Sequence, residues 1–266
     1  MFHSILYQPL FNALFYIYNV LPISDFGLAI IILTLLIKFI LFFPSGSSLK
    51  SQKALQELQP KMDEVRAKHK GNQEVMAKEL MKLYKENKVN PLSSCLPLLI
   101  QLPILWALYR VFISGLHTDP ATGILVGEQL QDLYQPLRDI FVTTPVSTSF
   151  LGFNLADKGN YIFAIIAGGL QFLQSRMLSH RKSPIKTQGA KDENAATLIN
   201  KQMMYFLPVI TVVFGIQFPA GLTLYWIVST AFTILQQLYF FRGKKQGVSP
   251  TPPATPAVSG VSAPKP

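Results

Sequence analysis

Acidic side chains are missing from every long apolar stretch of this sequence. The 266 residues carry 14 Asp and Glu against 24 Lys and Arg, and the acids all lie between or beside the apolar runs. Runs without carboxylates hold no proton or sodium relay of the kind coupled transporters build. Cysteine is nearly absent: Cys95 alone excludes an internal disulfide and any multi-cysteine metal site. His3, His69, His117 and His180 are too scattered to show a ligand spacing, so no metal or cofactor is expected. Lys38 is the first basic residue of the chain, so the charged start of a standard signal peptide is not expected. There is no GxxxxGK phosphate loop, no GxGxxG turn and no HExxH, and no candidate span carries a Ser/His or Asp/Asp pair at a depth that suits intramembrane proteolysis. These absences point away from an enzyme.

What the sequence has is apolar length. Charged residues make up 14% of it, well below the roughly 25% of soluble domains. Five stretches read as membrane spans: Gly27 to Pro44, residues 92–115, Tyr161 to Leu178, Met203 to Gln217 and Leu222 to Phe241. A sixth, residues 2–21, is aromatic but broken by Pro9 and Asn12. Its Phe11, Leu14, Phe15 and Tyr18 recur at helical spacing, so residues 1–26 read as an external amphipathic helix lying in the interface, with a further span over 2–21 as the competing reading.

After Pro44 the composition changes. Residues 45–93 hold ten Lys/Arg and six Asp/Glu. Leu55, Leu58, Met62, Val65 and His69 make one helical stripe, and Val75, Met76, Leu80, Leu83 and Tyr84 a second, with Gly71-Asn72 between them. Residues 45–91 are therefore expected to form a helical hairpin outside the bilayer, in which Pro60 kinks or starts the first arm. Residues 92–241 hold the second to fifth spans. The polar, turn-rich loop 116–158 and the basic loop 179–202 connect them, and 242–266 reads as a disordered tail rich in Pro, Ala, Ser and Thr.

The basic residues set the orientation. Loop 45–93 has ten, stretch 176–202 six and tail 242–266 four, whereas loop 116–158 has two. The positive-inside rule places the N-terminus outside and the C-terminus inside, and five spans satisfy that parity. The net charge of +10 thus reads as a topology signal, with no direct nucleic-acid partner expected. The expected class is an all-α polytopic membrane protein in contact with the lipid bilayer.

A few polar groups lie inside the spans. Thr34 and Lys38 are four residues apart and point to one side of the first. Gln101 lies in the second, Gln171 and Gln174 in the third. Thr223, Trp226, Thr230 and Thr233 form a stripe along the fifth. Such groups hydrogen-bond but do little covalent chemistry, and suit brief holding of a polar or anionic peptide segment within the bilayer. Lys38 either faces this set or snorkels toward Pro44.

Four stretches carry a family resemblance: GLAIIILTLLIKFILFFP (27–44), LKSQKALQELQPKMDEV (49–65), NPLSSCLPLLIQLPILWALY (90–109) and FLPVITVVFGIQFPAGLTLYWIVSTAFTILQQLY (206–239). The sequence closely resembles the YidC-type membrane protein insertases, the bacterial branch of the Oxa/Alb superfamily. The resemblance implies five core helices around a hydrophilic groove open to lipid and cytoplasm, with a cytoplasmic hairpin after the first. It implies that Lys38 stands where the family usually has a groove arginine, a change that keeps the charge and loses the bidentate fork. It places Gln171 and Trp226 among groove-lining residues. It implies an insertase and chaperone of the bacterial plasma membrane that takes nascent membrane proteins, alone or with the Sec translocon and the ribosome. The extra N-terminal span and large periplasmic domain of many Gram-negative members are not expected. The rival class is a small-solute transporter or channel, which would call for inverted repeats or a continuous pore, and no internal repeat is visible.

Overall fold

Asp25 starts the first long helix: its carboxylate accepts from the Leu28 amide at 2.9 Å, satisfying one of the donors a helix leaves free at its N-terminus. The computed structural model describes residues 3–69, 71–90, 96–114, 118–119, 121–127, 129–178 and 195–242. Cys95, stretch 179–194 and tail 243–266, which include most of the expected basic loop and the tail, lie outside the described residues. A π-helical turn, His3–Tyr7, leads into α1 (Gln8–Val20). Then come α2 (Phe26–Ile40), α3 (Phe42–Lys68), α4 (Gln73–Glu86) and α5 (Leu96–Ser114). Two short helices, α6 (Gln129–Asp132) and α7 (Gln135–Phe141), precede a hairpin of β1 (Ser149–Phe150) and β2 (Phe153–Asn154). The chain continues through α8 (Tyr161–Leu178), α9 (Ala195–Gln217) and α10 (Ala220–Arg242). Apart from that one antiparallel hairpin the described structure is helical, as the sequence led one to expect.

Helix α10 is central and packs on α2, α5, α8 and α9, while α8 and α9 pair side by side. That pairing needs a glycine. A Cβ on Gly168 would sit 2.3 Å from Cγ2 of Val212, so only a bare backbone lets α9 come this close. Among the described residues no single helix is both long and apolar enough to cross a membrane alone. The pair α2 and α3, bent by 67° at their junction, passes that test together. The helices nonetheless turn large apolar side chains outward, among them Phe43, Ile40, Trp106, Ile165, Val209 and Leu235.

Three expectations are corrected by this arrangement. First, Pro44 does not end the first apolar helix. The break comes at Leu41, and Pro44 occupies the first turn of α3, where a missing N–H matters little because those donors lack intrahelical partners. Helix α3 also runs through Pro60, so Pro60 does not start the arm. Second, residues 195–202 are helical, so α9 starts eight residues before the expected Met203; Ala, Leu, Lys and Gln there favour a helix although the stretch is partly polar.

Third, the stretch 116–158 is far more than a polar loop. Leu125, Leu133, Leu137, Phe141, Val146, Phe150 and Leu155 from it join Phe11, Leu14, Phe15, Tyr18 and Phe26 in one core. The Phe15 ring lies 5.1 Å from Phe141 and 5.7 Å from Phe26. Asn12, which interrupts the apolar run in the sequence, is buried here. Its Nδ2 donates to the Asp132 carbonyl at 2.8 Å and its Oδ1 accepts from the Tyr134 amide at 2.6 Å. The Tyr18 hydroxyl accepts from the Ser147 amide at 3.0 Å. Burial first, then the Asp132 carboxylate beside it, push the Tyr7 hydroxyl above its ordinary range.

This cap is fastened to the helices at two places. The α9–α10 turn donates the Ala220 and Gly221 amides to the carbonyls of Asp157 and Leu155, at 2.8 and 2.9 Å, and the Ile216 carbonyl accepts from Gly159 at 2.9 Å. Loop carbonyls thus satisfy the free donors that open α10. The β hairpin lies against α2, where Gly27 leaves room for the Phe150 ring; a Cβ there would fall 2.2 Å from it. Its two-residue turn places Leu151 at φ 50° and Gly152 at φ 82°. Two positive φ values mark a type I′ turn, in which Asn or Asp usually precedes Gly. A leucine in the left-handed region costs about 1 kcal/mol or more.

Candidate functional site

Lys38 lies near the end of α2, half-buried, three residues before the break at Leu41. Its Nζ donates to Oε1 of Gln101 on α5 and to Oγ1 of Thr233 on α10, each at 3.5 Å. Both bonds sit at the long limit of hydrogen bonding, so the ammonium is cradled rather than clamped. No acidic side chain pairs with Lys38 among the described residues. An ammonium has three donors, and two loose contacts to neutral oxygens leave it able to take an anionic acceptor.

The cradle is itself held. Gln101 Nε2 donates to the hydroxyl of the fully buried Tyr225, which fixes the amide with its oxygen toward the lysine. The Thr233 hydroxyl donates to the Ser229 carbonyl at 2.9 Å, leaving its lone pairs for Lys38. One cation therefore joins three helices distant in sequence. Below it, at the α2–α3 break, the Phe42 carbonyl accepts from Nε2 of Gln236 at 3.0 Å. Phe42 also packs near Phe232, Tyr239 and Phe240, with ring centroids 5.7 to 6.5 Å apart. Gln237, the next residue, is fully buried with both amide atoms unpartnered.

The sequence-derived polar set is only partly assembled here. Lys38, Gln101 and Thr233 meet. Thr34 is buried, but its hydroxyl donates to the Ile30 carbonyl of its own helix at 2.6 Å. Thr223 lies at the α9–α10 turn, where it donates to the Gly215 carbonyl at 3.1 Å and helps close the turn. Both are β-branched hydroxyls bonding back to backbone, a common fate in apolar helices. Thr230 is buried on α10, Trp226 is partly buried one turn earlier, and Gln171 and Gln174 are partly buried on α8. Tyr225, Ser229, Gln236 and Gln237 were not singled out by sequence reasoning. The adjacent glutamines in an otherwise apolar run were the available signal.

Comparison with known proteins adds a family. The family described as 60Kd inner membrane protein matches residues 16–247. A membrane protein insertase YidC of Geobacter metallireducens is 34% identical over 236 residues, covering 89% of this chain and 37% of the relative. One from Actinobacillus succinogenes is 36% identical over 244 residues, 91% of this chain and 38% of the relative. One from Fusobacterium nucleatum is 32% identical over 241 residues, 85% of this chain and 98% of the relative. The chain thus spans little more than a third of the first two and nearly all of the third.

Proposed function

Because this chain belongs to the 60Kd inner membrane protein family, we propose that it is a membrane protein insertase and not an enzyme. The observation that carries this reading is the half-buried Lys38, held by neutral oxygens from α5 and α10 with no carboxylate partner among the described residues. A short polar or acidic tail of a nascent membrane protein enters from the cytoplasm and meets the ammonium, which offsets part of the penalty of taking charge into the bilayer. The client's apolar helix then moves sideways into lipid, driven by hydrophobic transfer. Helices α2, α5, α8, α9 and α10 serve as the five spans around a hydrophilic groove. Their outward Phe, Ile, Leu and Val side chains support a lipid-facing surface. Gln171, Gln174, Trp226 and Thr230 line the groove, beside Lys38 and Gln101. The N-terminus faces outward and the C-terminus the cytoplasm, where the exposed α4 and the outer face of α3 meet headgroups, the ribosome or the Sec translocon.

Substitution at Lys38 tests the reading. Lys38→Arg is expected to keep or raise insertion, since the charge stays and a bidentate fork is gained. Lys38→Leu should fold at least as well, with an intramembrane charge removed, yet insert clients with acidic tails several-fold less well. Lys38→Glu should be worst for those clients, because like charges about 4 Å apart repel by about 4 kcal/mol at an effective dielectric near 20. The measurement is insertion of one acidic-tailed and one neutral-tailed client into proteoliposomes holding the pure protein. An equal response of both clients to all three variants would show that the charge is not used. A parallel flux assay with small solutes stays flat if the protein is an insertase and not a channel.

A further inference from the structure

The turn of the β1–β2 hairpin is strained, exposed and apolar at once. Leu151 adopts φ 50°, which L side chains rarely occupy, and is 77% exposed. A turn chosen for folding alone would carry Asn or Asp before Gly152. Backbone strain combined with a bare apolar side chain calls for an external reason.

The hairpin's position supplies one. Phe150 lies against Gly27 at the start of α2, and the Phe153 ring packs edge-on at 5.4 Å from Phe163 of α8. The tip is therefore fixed relative to the first turns of both helices. Gly152 and Phe153 share a concavity of about 340 Å³ with Lys158, Tyr161 and Ile162. Tyr161, Ile162, Ile165 and Ile166 continue from there down the outward face of α8, all exposed. Lys158 is one of only two basic residues in 116–158, and it sits at this edge. A lysine and a tyrosine at the head of an apolar helix face are the side chains that settle at headgroup level.

We propose that Leu151 is a lipid anchor, seating the hairpin tip in the acyl boundary of the outer leaflet beside the head of α8, with Lys158 among the headgroup phosphates. The proposal rests on the membrane reading above, in which α8 faces lipid and 116–158 lies outside. Its effect is to fix the depth of the external cap, and through the Asp157 and Leu155 carbonyls the depth of the α9–α10 turn.

The test labels single cysteines with one environment-sensitive fluorophore in a Cys95→Ser background: Leu151→Cys, Ser147→Cys and Ile165→Cys. The full chain is reconstituted in phosphatidylethanolamine/phosphatidylglycerol vesicles, with quenching by aqueous iodide on both faces or by lipid carrying a shallow acyl nitroxide. The label at 151 is expected to be quenched by the nitroxide lipid and several-fold less by iodide than the label at 147. If 165 is lipid-quenched while 151 follows 147, the anchor is overturned and the membrane reading stands. If 165 is not lipid-quenched, both fail. Leu151→Asn gives a second readout. Asn suits the turn, so thermal stability in detergent should hold or rise, while hairpin amides in vesicles should exchange faster. A loss of stability in detergent would mean that Leu151 serves the fold, and would overturn the proposal.

Discussion

Tyr7 shows how one hydroxyl can tie the start of the chain to residues more than a hundred positions away. Its folded-state pKa lies above the ordinary value of 10.0, from burial first and the nearby Asp132 carboxylate second. The folded state thus holds the phenolic proton more tightly than the unfolded chain does. That contribution is complete below pH 10 and is lost as pH rises past it toward the folded-state value. Tyr7→Phe is expected to lower stability at pH 8 by about 1 kcal/mol. Between pH 10 and 11 the variant should lose less stability than the parent; parallel thermal unfolding curves of the two over that range would refute this. At the same scale, Lys38 was legible in the sequence because a cation in an apolar run has few explanations. Tyr225 and Gln236 were not, because a hydroxyl or amide takes its meaning from the atom opposite it. Thr34 and Thr223 read as site residues by spacing alone, and their hydroxyls turn instead to backbone carbonyls.

Among the elements, the joint between α2 and α3 has the most to lose from a single change. Beside the 67° bend, Gln236 reaches across from α10 and donates to the Phe42 carbonyl. Gln236→Leu should cost about 1 kcal/mol and loosen the direction in which the hairpin leaves the helices. Spin labels on the exposed Glu64 and Leu173 should report a broader distance distribution; an unchanged one would assign the bend to the Phe42, Tyr239 and Phe240 rings alone. The long helices were readable because apolar residues recur at helical spacing over many turns. The cap was not. Leu125, Leu133, Phe141, Val146 and Leu155 sit among turn residues at irregular intervals, so no period marks them. Asn72 shows the reverse case: a Gly-Asn break that the sequence displays plainly and the fold uses as a helix start, the side chain accepting from the Val75 amide at 3.1 Å.

For the whole molecule, burial predicts unequal protection. Helix α4 buries no residue, whereas α10 holds Leu222, Tyr225 and Gln237 wholly inside. Amides of residues 73–86 should exchange faster than those of 220–237; equal rates would mean that the hairpin is packed against something further. Orientation has its own check. Ser147 is exposed on the cap, so Ser147→Cys should react with an impermeant thiol reagent on intact cells, and labelling only after lysis would reverse the topology. The cradle around Lys38 also has a consequence in time. Thr233 lies 195 residues beyond Lys38, which at about 5–20 residues per second of synthesis is roughly 10–40 s of translation. Throughout that interval the lysine is already made and its last partner is not. A newly made copy therefore passes through a period in which its buried cation lacks one of the two oxygens that later hold it.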